Sequence, residues 1–170
     1  MNAIVIGESE KANMKIVMPA ITMHDIGFLY GATGRTHGSI GAEKLREFLE
    51  DGNIKYSDDD IALLASCIRT HKGSSHDEKP ENLEAKVVAD ADLLDKFGPI
   101  GVFQNIKVMT EFNRDLHASL ERKDTIHKLR LETKTGQELA EPGKEFVVTF
   151  FESLALSYEP YLPSSKESDN

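Results

Sequence analysis

Five residues have the types and spacing to hold a divalent cation: His24, Asp25, His37, His71 and Asp92. His24 and Asp25 are adjacent in MPAITMHDIGFLYG, the most apolar stretch of the chain. A charged aspartate in such a stretch is costly unless paired or bound to a cation. Neighbours on a helix project about 100° apart, so the two do not face each other. A cation lying between their directions can still take an imidazole nitrogen from one and a carboxylate oxygen from the other. The second oxygen is left to bridge to another ion. Mixed imidazole and carboxylate ligation suits Mn, Fe, Co, Ni or Zn better than Mg alone. One ion or two is compatible with this set. Such a site lowers the pKa of bound water and draws charge from a ligand oxygen, the means of metal-assisted hydrolysis.

Three aspartates stand together in Val87-Val-Ala-Asp90-Ala-Asp92-Leu-Leu-Asp95. Asp92 and Asp95 are three apart and share a helix face, whereas Asp90 points roughly the opposite way. Acids at the C-terminal half of a helix oppose its dipole, and a cation is a simple remedy; a solvated acidic face is the alternative. His37 opens His-Gly-Ser-Ile-Gly-Ala-Glu, where its other reading is an exposed loop histidine. His71 ends an apolar-striped helix, where its other reading is a cation on the last carbonyls. Arg69 and Lys72 flank His71 and could hold a phosphate or simply face solvent. His76 reads as a surface residue, and His117 and His127 as structural ones.

Helices must position these groups. Ile16 to Tyr30 is apolar on most sides, as a central buried helix would be, and starts or kinks at Pro19. Gly31 to Gly38 reads as a loop. Leu45, Phe48 and Leu49 mark a helix stopped at Gly52. Ser57 and three aspartates form a cap and an acidic first turn for a helix carrying Ile61, Leu64, Ala65 and Ile68. Residues 73–80 are a polar loop. A further helix runs from about Glu81 to Leu94, with Leu83, Val87, Ala91 and Leu94 on one stripe. Gly98-Pro99 opens another helix. Residues 100–121 and 122–132 read as two helices, and Gly136 opens the last, which ends near Tyr158. Val147-Val-Thr-Phe-Phe has strand composition but no partner strand. The expected fold is all-α, a single helical domain over residues 1–160 with a flexible tail at 161–170.

Composition fits that reading. The chain has 170 residues, with 39% hydrophobic and 29% charged, ordinary for a globular protein. Its net charge of −9 argues against broad nucleic-acid binding, which needs a basic surface. The single cysteine, Cys67, permits no intrachain disulfide. No apolar run spans a bilayer and no leader peptide is evident, so the expected location is the cytoplasm.

Taken together, His24-Asp25, Ile68-Arg-Thr-His71, the stretch Glu84 to Gly98 and the following Pro99-Ile-Gly-Val-Phe resemble the HD-domain metal-dependent phosphohydrolases. Ile126-His-Lys-Leu and Thr133-Lys-Thr-Gly-Gln-Glu-Leu-Ala extend the likeness, which covers residues 14–158. The resemblance implies a helical bundle of the HD type and a metal held by His24, Asp25 and Asp92. Members with a second metal add two histidines, which His37 and His71 match. It also implies a small phosphorylated substrate of nucleotide type, with no nucleic acid or membrane partner, and leaves a homo-oligomer open. Asp25 is expected to act as ligand and bridge, and Asp95 to orient a ligand beside it. One departure stands out. The family carries a histidine upstream of the His-Asp pair, and the 23 residues before His24 contain none. Either the family's first helix is missing from this sequence, or the protein lacks that ligand. In the second case the domain could bind a nucleotide as a sensor without turning it over.

Overall fold

The computed structural model describes residues 1–73, 78–113, 115, 120 and 122–158. His76, His117 and the expected tail at 161–170 lie outside these residues, as does the side chain of His127. The described residues contain helices and no strand. They are α1 (Asn2–Glu10), α2 (Met14–Met23), a 3-10 turn (Ile26–Tyr30), α3 (His37–Asp51), α4 (Asp58–Thr70), α5 (Leu83–Leu94), α6 (Gly98–Glu111), α7 (Arg122–Lys128) and α8 (Lys134–Tyr158). Among them no helix is long and apolar enough to cross a membrane.

The chain forms two compact units. The first comprises Met1–Asp95 with Leu129–Glu141, and the second Lys96–Lys128 with Pro142–Asn170. In the first unit α5 is the central helix: Val87, Val88, Ala89, Asp90 and Ala91 are buried in succession. Helices α1, α2 and α4 pack against it, and α3 packs against α4 and the 3-10 turn. Ile6, Ile16, Val17, Leu45, Leu49, Leu64, Cys67 and Ile68 complete this core. In the second unit Val102, Ile126, Val147 and Phe151 are buried.

Side-chain caps set several helix starts. Asn13 Oδ1 accepts from the Lys15 N–H (3.1 Å), Ser57 Oγ from Asp60 (3.2 Å) and Asn82 Oδ1 from Ala85 (2.8 Å). Each satisfies an N–H that the first turn leaves without an intrahelical partner.

Several expectations are corrected. The apolar run Ile16 to Tyr30 is two elements, broken at His24-Asp25. Its helix starts at Met14, ahead of Pro19, because Asn13 caps it there. It buries one face only, through Ile16, Val17, Ala20 and Met23, and leaves Met18 37% exposed. Gly52 is the C-cap of α3 but keeps a right-handed conformation, and Asn53 takes the left-handed one (φ 51°). On α5, Val87 and Ala91 are buried while Leu83 is exposed. Helix α6 ends at Glu111, before the left-handed Asn113 (φ 48°). The strand-like Val147 to Phe151 lies within α8. That helix opens two residues before Gly136, where the Thr133 hydroxyl accepts the Gly136 N–H (3.0 Å).

Candidate metal centre

Helices α2 and α4 end in the same way. His24 is the C-cap of α2 and His71 the C-cap of α4, both in right-handed backbone. His24 Nδ1 lies 2.6 Å from the Ile21 carbonyl, and His71 Nδ1 lies 2.6 Å from the Ile68 carbonyl. A carbonyl only accepts, so each Nδ1 carries the proton. Each imidazole thus satisfies a carbonyl that the helix end leaves without an intrahelical partner. Each also turns an unprotonated Nε2 outward, with its tautomer fixed as a metal ligand requires. His37, the first residue of α3, places Nδ1 3.3 Å from the Thr33 carbonyl.

These three rings converge. The centroids of His24 and His71 are 5.0 Å apart and those of His37 and His71 are 4.8 Å apart. His37 Nε2 and His71 Nε2 approach to 2.9 Å. At that distance one ring donates to the other, or both nitrogens turn to a common cation. Burial pushes His71 from the ordinary histidine range down to about 4, which disfavours the proton there. It is 1% exposed and His37 is 7% exposed.

Asp25 joins the three imidazoles. Its Oδ2 lies 3.4 Å from His24 Nε2, and its Oδ1 lies 3.2 Å from His37 Nε2 and 3.8 Å from His71 Nε2. Asp92 Oδ1, from α5, is 3.6 Å from His24 Nε2. Ligand atoms of His24, Asp25 and His71 all fall within 4.8 Å of one another, close enough to share one ion. All five residues singled out from the sequence are therefore brought to one place. The donor set fits a divalent cation: imidazole nitrogens with tautomers already set, and carboxylates to balance charge.

One part of the sequence argument is corrected here. The Asp25 side chain is 54% exposed, so no desolvation cost demands a cation at Asp25 itself. The buried, closely approaching Nε2 atoms of His37 and His71 are the desolvated part of the cluster.

The three aspartates of α5 divide their work. Asp90 is buried and caps the approach to α8. Its Oδ1 accepts from the Glu132 N–H (2.8 Å), and its Oδ2 accepts from the Thr133 N–H (2.7 Å) and hydroxyl (2.6 Å). Asp92 faces the imidazoles. Asp95 follows as the helix C-cap, its Oδ1 accepting from Asn2 Nδ2 (3.1 Å). Partial desolvation and the charge on Asp92 raise its carboxyl above the usual range. Lys72 Nζ donates to the Gly34 carbonyl (2.6 Å), tying the 31–36 loop to the end of α4. Arg69 is half-buried in the last turn of α4.

Three residues outside the sequence-derived set hold this arrangement. A methyl group on Gly27 would meet the His37 carbonyl oxygen at 2.1 Å, and one on Gly38 would meet the Arg69 carbonyl at 2.8 Å. The absence of side chains at these two positions lets the 3-10 turn, α3 and α4 approach closely enough for their ligands to meet. Phe28 lies flat on His37, centroids 4.5 Å apart and planes at 14°. Gly27 did leave a signal, since a glycine inside an apolar helical run marks a bend or close packing.

The comparisons with known proteins bear on this constellation. The family model for the HD domain matches residues 2–96. A protein of Bacillus subtilis (strain 168), YpgQ, described as uncharacterized, is 28% identical over 160 residues, covering 89% of this chain and 77% of its own length. A crystal structure of Bacillus subtilis YpgQ superposes with a TM-score of 0.64 at 26% identity, covering 92% of this chain and 82% of that one. The crystal structure of a "predicted HD superfamily hydrolase" from an uncultured Thermotogales bacterium gives 0.62 at 24% identity, covering 92% and 75% respectively; at that identity it speaks for the fold alone.

Proposed function

The chain belongs to the HD-domain family, a family of metal-dependent phosphohydrolases, and on that premise we propose that it hydrolyses a phosphomonoester or phosphodiester of nucleotide type. The observation that carries this reading is the meeting of His24, Asp25, His37, His71 and Asp92 with their ring tautomers set. His24, Asp25, His71 and Asp92 would hold one divalent ion, and His37 with the second oxygen of Asp25 offers ligands for another. Such an ion supplies a nucleophile at neutral pH and neutralises charge on phosphoryl oxygens.

The protein's own groups do the rest. The Ile21 and Ile68 carbonyls keep Nδ1 protonated on His24 and His71, so Nε2 stays available. Asp25 reaches the three imidazoles with its two oxygens and would serve as the bridging ligand if two ions bind. Asp95, one turn from Asp92, holds the end of α5 against Asn2. Arg69 and Lys72, flanking His71, offer positive charge to an incoming phosphate.

The test is metal analysis of the purified protein, followed by turnover of a generic phosphodiester and a nucleotide panel with Mn, Co, Ni, Zn and Mg. Bound metal and metal-stimulated phosphate release, both lost in Asp92→Ala, support the proposal. No bound metal, and no release above the Asp92→Ala control, refutes it. Tight nucleotide binding without turnover would select the sensor reading.

A further inference from the structure

Phe28 is unusual in being both fixed and open. One ring face lies flat on His37, at 4.5 Å between centroids and 14° between planes. The residue is nevertheless 48% exposed, while the imidazole beneath it is only 7% exposed. Phe28 therefore covers His37 with one face and leaves about half of its own surface open. Its orientation comes from the 3-10 turn. The Phe28 N–H donates to the Asp25 carbonyl (3.0 Å), and side chains three residues apart in a 3-10 turn eclipse one another. Asp25 and Phe28 thus leave the turn on the same side. Asp25 reaches the nitrogen of His37 while Phe28 covers its ring.

We infer that the exposed face of Phe28 is the stacking platform for the nucleobase of a nucleoside phosphate whose phosphate lies at the His24, Asp25, His37 and His71 cluster. This inference rests on the phosphohydrolase reading and assigns the part of that site which recognises the base. Three features favour a flat aromatic ligand. The platform is planar and already held parallel to a second ring, so little side-chain freedom is lost on binding. Every base offers a π-face to such a ring, whatever its hydrogen-bonding pattern. Platform and cluster share one turn, since Asp25, three residues before Phe28, places its carboxylate 3.2 Å from His37 Nε2.

The sequence contains no tryptophan, so Phe28→Trp creates a single-tryptophan protein whose emission, excited selectively over the tyrosines, reports stacking. The metal-loaded variant is titrated with adenosine monophosphate, ribose 5-phosphate and inorganic phosphate. Saturable quenching by the nucleotide alone is expected. In parallel, Phe28→Leu should lower the preference for the nucleotide over ribose 5-phosphate, as a ratio of kcat/KM, by roughly tenfold, and Phe28→Tyr should restore it. Equal quenching by all three ligands, or none with metal bound, overturns the inference. So does an equal loss on both substrates accompanied by loss of metal, which would reduce Phe28 to a support for His37. Nucleotide-specific quenching without hydrolysis of any ester would remove the hydrolase reading and leave the stacking site standing.

Discussion

Replacing Gly27 by alanine adds one methyl group at the point where the 3-10 turn crosses the start of α3. That carbon would sit 2.1 Å from the His37 carbonyl oxygen and 2.8 Å from both the carbonyl carbon and Cα of His37. All three are backbone atoms, so no side-chain rotation relieves the clash. Either the turn or the N-terminus of α3 must move. Overpacking of this kind costs about 1–3 kcal/mol, and for a chain of this size that lowers Tm by roughly 2–12 °C. The larger effect falls on the ligands. The turn follows directly on Asp25 and α3 opens with His37, so the displacement separates the two groups that now stand 3.2 Å apart. A shift of about 1 Å at such a site lowers activity by about 100-fold. Gly31→Ala is the control: its φ of 76° is unfavourable for alanine, but no atom lies within 4 Å of the added carbon. It should cost about 1 kcal/mol through backbone strain alone and leave the ligands in place. Thermal unfolding and metal content of both variants, measured side by side, decide the matter. Gly27→Ala with wild-type metal content and a smaller loss of Tm than Gly31→Ala would refute the reasoning.

Other outcomes follow from the same geometry. Asp90→Ala should destabilise the fold by about 2–4 kcal/mol, because two backbone N–H groups and the Thr133 hydroxyl lose their acceptor; Asp92→Asn should leave denaturant unfolding of the metal-free protein near wild type and abolish metal binding. His71 is held at about 4 in the fold against an ordinary 6.5, so the unfolded chain takes up a proton that the folded chain refuses. Stability of the metal-free protein should therefore be full above about pH 6.5 and fall by up to about 3 kcal/mol as the pH drops toward 4, a decline that His71→Asn removes. Burial pushes the Cys67 thiol up to about 12, so iodoacetamide should leave it unmodified in the native protein at pH 8 and alkylate it after unfolding, read by mass spectrometry.

The sequence carried much of this molecule because its signals are local. Apolar residues at helical spacing marked α4 and α5, and Ser57 with its aspartates marked the start of α4. The residues that meet at the site were legible from their types and spacing, although Asp25 is exposed and its apolar surroundings in sequence do not demand a cation. What was hidden depends on approach between distant segments. Asp90 and Asp92 are chemically identical in sequence, and only the return of the chain at Glu132 and Thr133 makes one a cap and leaves the other to the imidazoles. The run Ile16 to Tyr30 looked continuous because apolarity does not register where a chain bends. The break at His24-Asp25 exists because the His24 ring takes over a carbonyl of α2. Gly38 read only as the end of a loop, since the carbonyl it accommodates lies on another segment.

The most direct test is anomalous diffraction from crystals equilibrated with Mn or Zn. A peak between His24 Nε2, His71 Nε2 and the Asp25 carboxylate, within bonding distance of each, is the predicted result. Clean difference maps at that position, or an ion bound elsewhere with these side chains turned away, would contradict it.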